Sequence, residues 1–161
     1  MDNDPRFRRR CGTLIALLGS GILMITALAH AGAPPEQQTE SGVTYRAGGL
    51  GAREADEMRR LSDDYPLALT FTERAEDGRD MFSANVAVRI LDASDEVVFE
   101  TKAPGPLMLV DLEEGHYTVE ATLRGAVETR EVTLEAGQTQ RLTLAWAYQA
   151  PDIAPADPTP P

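Results

Sequence analysis

Few side chains in this sequence are placed to do chemistry, and their spacing limits each of them. Of the two histidines, His30 and His116, only His116 lies beyond the apolar amino-terminal stretch. It follows the Glu114-Gly115 turn, and a nucleophilic triad there would have to enlist Asp111 and one of Ser62, Ser83 or Ser94. None of those serines stands in a glycine-flanked elbow of the kind that exposes a hydrolase nucleophile. A single imidazole with no neighbouring cysteine cannot complete a tetrahedral zinc site. Asp92, Ser94, Asp95 and Glu96 form one oxygen-rich segment, and Asp111, Glu113 and Glu114 form another. Oxygen donors suit calcium, but neither spacing matches the EF-hand loop, and the same residue types build ordinary turns. Whether these loops bind calcium stays open at this point. Gly48-Gly49-Leu50-Gly51 has no buried strand before it and no Lys-Ser/Thr after it, so it reads as a turn and not as a phosphate loop. Paired carboxylates for glycoside cleavage need a cleft that holds them roughly 5 to 9 Å apart, which a small lone sandwich seldom forms. The expectation is no catalytic, cofactor or metal site.

Aromatic rings are the other candidates, as a stacking platform for sugars. Trp146 and Tyr148 are two residues apart and share one strand face. Leu142 and Leu144 share that face too, which favours a ring body packed on the core with its polar tip near the rim. Tyr45 and Tyr65 flank a short helix and are the rings expected to be free. These four residues are the candidate glycan contacts.

The elements that must position all of these centre on residues 107–146. Three runs there alternate apolar and polar residues, with Tyr117, Val119, Ala121 and Leu123 on one face, then Val132 and Leu134, then Leu142, Leu144 and Trp146. Breaks at Glu114-Gly115, Arg124-Gly125 and Ala136-Gly137 put Gly115, Gly125 and Gly137 where hairpins favour positive φ. The pattern predicts a β-meander. Upstream, Leu67, Leu69 and Phe71 alternate after Pro66, and Phe82–Leu91 reads as one strand with Phe82, Ala84, Val86, Val88 and Ile90 inward. A shorter strand follows through Val97, Val98 and Phe99. Ala52–Leu61 is the one helix, with Glu54 and Asp56 early, Arg59 and Arg60 late, and an apolar stripe of Ala55, Met58 and Leu61 suited to a sheet edge. Seven short strands with turn signals about every ten residues imply an all-β fold. The prediction is a seven-stranded antiparallel β-sandwich of prealbumin or Ig-like type, preceded by one short helix.

Both ends of the chain differ in composition from this core. Arg6, Arg8, Arg9 and Arg10 precede an apolar stretch, and Ala29-His30-Ala31 supplies small residues at a cleavage position. Residues 1–31 are therefore expected to be a signal peptide cut after Ala31, with cleavage after Ala33 as the competitor. Residues 11–29 also approach the length of a membrane anchor, and this alternative stays open. In either case the rest of the chain is exported, to the periplasm or beyond the cell. Residues 32–44 read as a disordered spacer, 45–65 as the short helix and a flap, 66–148 as the sandwich, and 149–161 as a Pro-rich disordered tail. The full chain carries a net charge of -11. Loss of residues 1–31 removes four arginines and two aspartates, which leaves 11 basic and 24 acidic residues. So acidic a chain is repelled by nucleic acids and anionic membranes, which leaves the signal sequence, if uncleaved, as the only membrane contact. Its one cysteine is Cys11, so the exported part has no disulfide or thiolate chemistry.

Within the core, Val110-Asp111-Leu112-Glu113-Glu114-Gly115-His116-Tyr117-Thr118-Val119-Glu120-Ala121 resembles the recurrent segment of carboxypeptidase regulatory-like domains, whose pattern runs apolar-x-Leu-x-x-Gly-x-Tyr-x-Val-x-Ala. Gly125, the Val132-Thr133-Leu134 strand and Gly137 also fit, and the resemblance covers residues 66–146. It implies a prealbumin-like, carbohydrate-binding-like sandwich that serves as an accessory or binding module. It transfers no functional residues, because the motif is structural, and it leaves the role of residues 45–61 open. The expected function is thus a non-catalytic exported module that mediates protein interaction in the cell envelope, using exposed sheet edges or the Gly48–Leu61 flap. The alternative is a carbohydrate-binding domain. The partner, an envelope protein or a polysaccharide, and the oligomeric state cannot be read from these residues.

Overall fold

Leu107–Val110 is a run of four apolar residues, and all four are buried. A strand of this kind must be covered on both faces, and the architecture follows from what covers each one. The computed structural model describes residues 32–148. The expected signal peptide and the Pro-rich tail lie outside the described residues.

The elements run β1 (Gln37–Gln38), β2 (Thr44–Gly48), α1 (Ala52–Leu61), β3 (Leu67–Arg74), β4 (Asp80–Phe82), β5 (Val86–Leu91), β6 (Val97–Ala103), β7 (Leu107–Val110), β8 (Gly115–Leu123), β9 (Ala126–Leu134) and β10 (Gln140–Ala147). The first sheet has the order β1-β2-β7-β3-β10, with β4 beside the second half of β3, and the second sheet has the order β6-β5-β8-β9. The protein is all-β. Among the described residues the sandwich therefore has ten strands where seven were expected, and it is not purely antiparallel, because β3 and β10 pair in parallel from Leu67↔Gln140 to Arg74↔Ala147.

Between the sheets lies one core. Leu67, Leu69, Phe71, Met108, Val110 and Leu144 from the first sheet meet Val86, Val88, Ile90, Phe99, Val119 and Ala121 from the second. Helix α1 covers the other face of the first sheet. Its Ala55 and Met58, with Leu61 partly buried, pack on Ala68, Leu107, Leu109 and Tyr65. The expected stripe thus lies on a sheet face and not on an edge, and this cover explains why β3 and β7 are buried on both sides. Two strands come before the helix. Residues 37–48, expected to be mainly spacer, form the hairpin of β1 and β2, and Tyr45↔Val110 joins it to β7.

The meander is corrected as well. Only β8 and β9 form a tight hairpin, through Arg124 (φ 47) and Gly125 (φ 87), the pair of positive φ angles that a two-residue turn of matching twist requires. The chain then crosses from β9 in the second sheet to β10 in the first. Gly137 has φ 68 as expected, but Gly115 has no positive φ: it starts β8 and pairs with Leu134. A Cβ there would sit 3.3 Å from the Tyr117 ring, so the position favours glycine for space and not for turning.

Phe82–Leu91 is two strands in different sheets. Asn85 (φ 62) marks the break between them, and Ser83 is buried at the corner, where its hydroxyl donates to Glu73 Oε2 at 2.7 Å. Phe82 pairs with Thr72 and is 62% exposed instead of inward. At the same end Arg124 pairs with the buried Glu73, tying the β8–β9 turn to β3.

Candidate binding groove

Strand β6 is an edge, hydrogen-bonded to β5 on one side only. On its other side stands the β1–β2 hairpin of the opposite sheet. Ser41-Gly42 turns this hairpin, with Gly42 at φ 89, and the Thr39 N–H donates to the Val43 carbonyl at 3.0 Å. Three contacts hold hairpin and edge together. The Ser41 hydroxyl donates to the Val98 carbonyl at 2.8 Å, the Tyr45 hydroxyl lies 3.3 Å from that of Thr101, and the Tyr45 ring meets Phe99 edge-on at 5.3 Å. The contacts leave an open slot. Gln38, Glu40, Ser41, Phe99, Glu100 and Thr101 line a cavity of about 510 Å³. Ser41, Val97 and Val98 also line an adjoining cavity of about 680 Å³, bounded by Glu96, Asp111, Glu113 and Tyr117.

The groove opens onto one end of the sandwich, where loops 39–43, 62–66, 92–96, 111–114 and 135–139 gather because the paired strands begin or stop there. None of these loops contains lysine or arginine. Arg141 reaches Asp63, yet Glu96, Asp111, Glu113 and Glu40 form no ion pair among the described residues. Asp92 shapes the 92–96 loop. Its Oδ1 accepts from the Ser94 hydroxyl at 2.7 Å and from the Ser94 and Glu96 N–H groups at 2.8 and 3.1 Å. These bonds, the hydroxyl's first, hold its carboxyl below the usual range. The Tyr117 hydroxyl donates to the Glu113 carbonyl at 3.1 Å. Burial raises its pKa above the ordinary 10.0, and the Glu113 and Asp92 carboxylates raise it further.

The other singled-out residues are scattered. His116 Nδ1 lies 2.9 Å from the Thr133 hydroxyl. Ser62 donates to the Arg59 carbonyl, Ser94 to Asp92 and Ser83 to Glu73. The candidate triad therefore does not come together. No group of three or more His, Cys, Asp or Glu able to hold a metal occurs among the described residues. Among the glycan candidates, Trp146 is 5% exposed and its Nε1–H donates to the Ala126 carbonyl at 3.0 Å. Tyr45 and Tyr65, expected to be free, are both buried. Tyr65 bolts the helix layer: its hydroxyl receives the Arg46 Nε–H at 2.9 Å and donates to Glu36 at 2.7 Å. Burial raises its pKa, and the Glu36 bond adds to this. Tyr148 is 41% exposed.

The sequence reading missed the hairpin wall of the groove. Its signal was present, as the Ser41-Gly42 turn followed by Val43, Tyr45 and Ala47 at a spacing of two. The Gly48–Leu61 flap is no loose flap: Glu54 accepts the Gly49 N–H at 2.7 Å and α1 is packed down on its sheet. No helix among the described residues is long and apolar enough to cross a membrane. No protein-family model matches the chain, and no curated protein matches it.

Proposed function

We propose that this chain is a non-catalytic binding module, exported to the periplasm or secreted, that holds another protein of the cell envelope. The observation that carries the reading is the groove between the β6 edge and the β1–β2 hairpin, formed by two adjoining cavities that share Ser41, Val97 and Val98. A free strand edge presents unpaired backbone groups that another chain can satisfy. Export rests on the leader-like residues 1–31, and the carboxypeptidase regulatory-like assignment rests on the Val110–Ala121 pattern. The positions of that pattern support the assignment: Leu112, Val119 and Ala121 point into the core and Tyr117 packs against it.

A polysaccharide partner has less support, since three of the four candidate rings are buried and one exposed tyrosine makes no platform. The test expresses the full sequence, purifies the product from the cell envelope, and challenges it with peptidoglycan, other polysaccharides and a cross-linked envelope extract. The expected result is one enriched protein and no saturable glycan signal. Saturable glycan binding that is lost in Tyr148→Ala would overturn the reading.

A further inference from the structure

We infer that the groove beside β6 takes an extended, cationic segment of the partner protein as an added strand. The inference rests on the binding-module reading and names the partner's chemistry.

The sandwich has two other long edges, β10 in the first sheet and β9 in the second, and they show why β6 is the acceptor. The cavity beside β10 is lined by Arg59 and Arg141 and by no carboxylate, and on β9 Glu128 and Arg130 stand opposite Ala121 and Val119. Opposed residues of a ladder share a face, so both charges lie on the core side, paired with each other at 3.1 Å. Inward charges of this kind blunt an edge against pairing. Trp146 also takes the Ala126 carbonyl at the start of β9. Strand β6 has no such inward charge: Phe99 and Ala103 face the core, and Glu100 and Lys102 are exposed. Its ladder is irregular only near Val98, where Ser41 occupies the carbonyl. From Phe99 to Ala103 its outer side has no partner strand among the described residues.

Charge selects the occupant. The slot and the adjoining cavity are lined by Glu40, Glu96, Glu100, Asp111 and Glu113, with no lysine or arginine in the lining. Among the described residues only Glu100 of these five has a counter-ion, Arg89 at 3.8 Å. An incoming strand with lysine or arginine at alternate positions would neutralise these carboxylates while its backbone pairs with β6, and an acidic strand would be repelled.

The probe is an extended peptide of alternating lysine and valine, titrated against the full-length protein in low salt. Two control peptides carry glutamate for lysine, or N-methyl groups on alternate amides. The lysine peptide is expected to bind, to shift the amide resonances of Val97–Ala103 and to slow hydrogen exchange at those amides of β6 that do not already donate to β5, while both controls lose binding. The double variant Glu96→Lys, Glu113→Lys, whose sites are exposed, is expected to weaken binding roughly tenfold, on the scale of two lost ion pairs. Glu76→Lys, in the loop at the other end, should leave affinity unchanged. Equal binding of the lysine and glutamate peptides, no binding, or shifts that avoid β6 would overturn the inference. An envelope protein captured equally by the wild type and the double variant would overturn it while leaving the binding-module reading intact. Failure of all peptides together with an empty envelope capture would sink both.

Discussion

Replacing Trp146 with alanine tests the packing and the sugar alternative together. The side chain is 5% exposed, lies 6.5 Å from the Phe71 ring between centroids, and donates its indole N–H to the Ala126 carbonyl at 3.0 Å. A buried tryptophan removes roughly 200 Å² from water, which at ~25 cal/mol per Å² is about 5 kcal/mol, and alanine keeps a small part of that. The expected loss is about 4 kcal/mol, within the range measured for large aromatic truncations. Trp146→Phe keeps most of the apolar volume and loses the hydrogen bond, for about 1 to 2 kcal/mol. Urea unfolding followed by far-UV circular dichroism measures both, since Trp146 is the chain's single tryptophan and its own fluorescence disappears on substitution. In the wild type that fluorescence should be blue-shifted and resistant to iodide. If Trp146→Ala costs less than about 1 kcal/mol, or if native emission is red-shifted and readily quenched, the ring is not in the core and a sugar-stacking role regains its footing.

Three further outcomes follow from particular contacts. Gly105 lies so close to the Gly48 backbone that an added Cβ would come within 2.9 Å of Gly48 Cα and nearer still to its carbonyl; Gly105→Ala should cost about 1 to 3 kcal/mol or more, and a thermal melt unchanged from wild type would refute this. Met58 is 1% exposed beneath the helix, so Met58→Ala should cost about 2 to 5 kcal/mol; a smaller loss in denaturant titration would mean that α1 does not stay on the sheet in solution. Asp92 titrates below its ordinary 3.8 when folded, so the stability it adds is present above that value and fades as the pH falls through the lower folded one. Asp92→Asn should flatten that acid-side loss, which urea midpoints above and below about pH 4 would show; an unchanged acid slope would place the titration elsewhere.

The sequence made several local features legible. Ala52–Leu61 is a helix with the expected bounds, and Ala55 and Met58 are the residues it buries. The Arg124-Gly125 turn and the inward faces of β8 and β10 also follow from glycine position and period-two alternation. Alternation tells which side chains share a face and leaves the neighbouring strand unspecified. This is why β8, β9 and β10 read as one meander, although β10 belongs to the other sheet. Phe82–Ile90 kept an unbroken alternation through Asn85, whose positive φ is a property that asparagine permits without requiring. Leu107–Val110 is buried on both sides, and the helix that supplies the second cover lies far off in sequence. The groove was the least legible part. It arises between an edge and a hairpin from opposite sheets, and no single segment encodes it.

The parallel pairing of β3 with β10 also bears on how the chain reaches this fold. Strand β3 is an interior strand of the first sheet, yet two of its three neighbours are distant in sequence, and one of them, β7, follows only after the second sheet's β5 and β6. The other, β10, is the last described strand of all, aligned from Leu67↔Gln140. Contacts so distant in sequence carry a loop-closure cost before they return any stability, and they slow folding. The β8–β9 hairpin and the β5–β6 pair are local and are expected to form early. The first sheet must wait, with Leu67, Leu69 and Phe71 exposed on an incomplete surface until residues 140–147 arrive. A chain stopped short of β10 would therefore leave β3, buried along most of its length in this fold, as the edge of its sheet, and such a fragment is expected to aggregate.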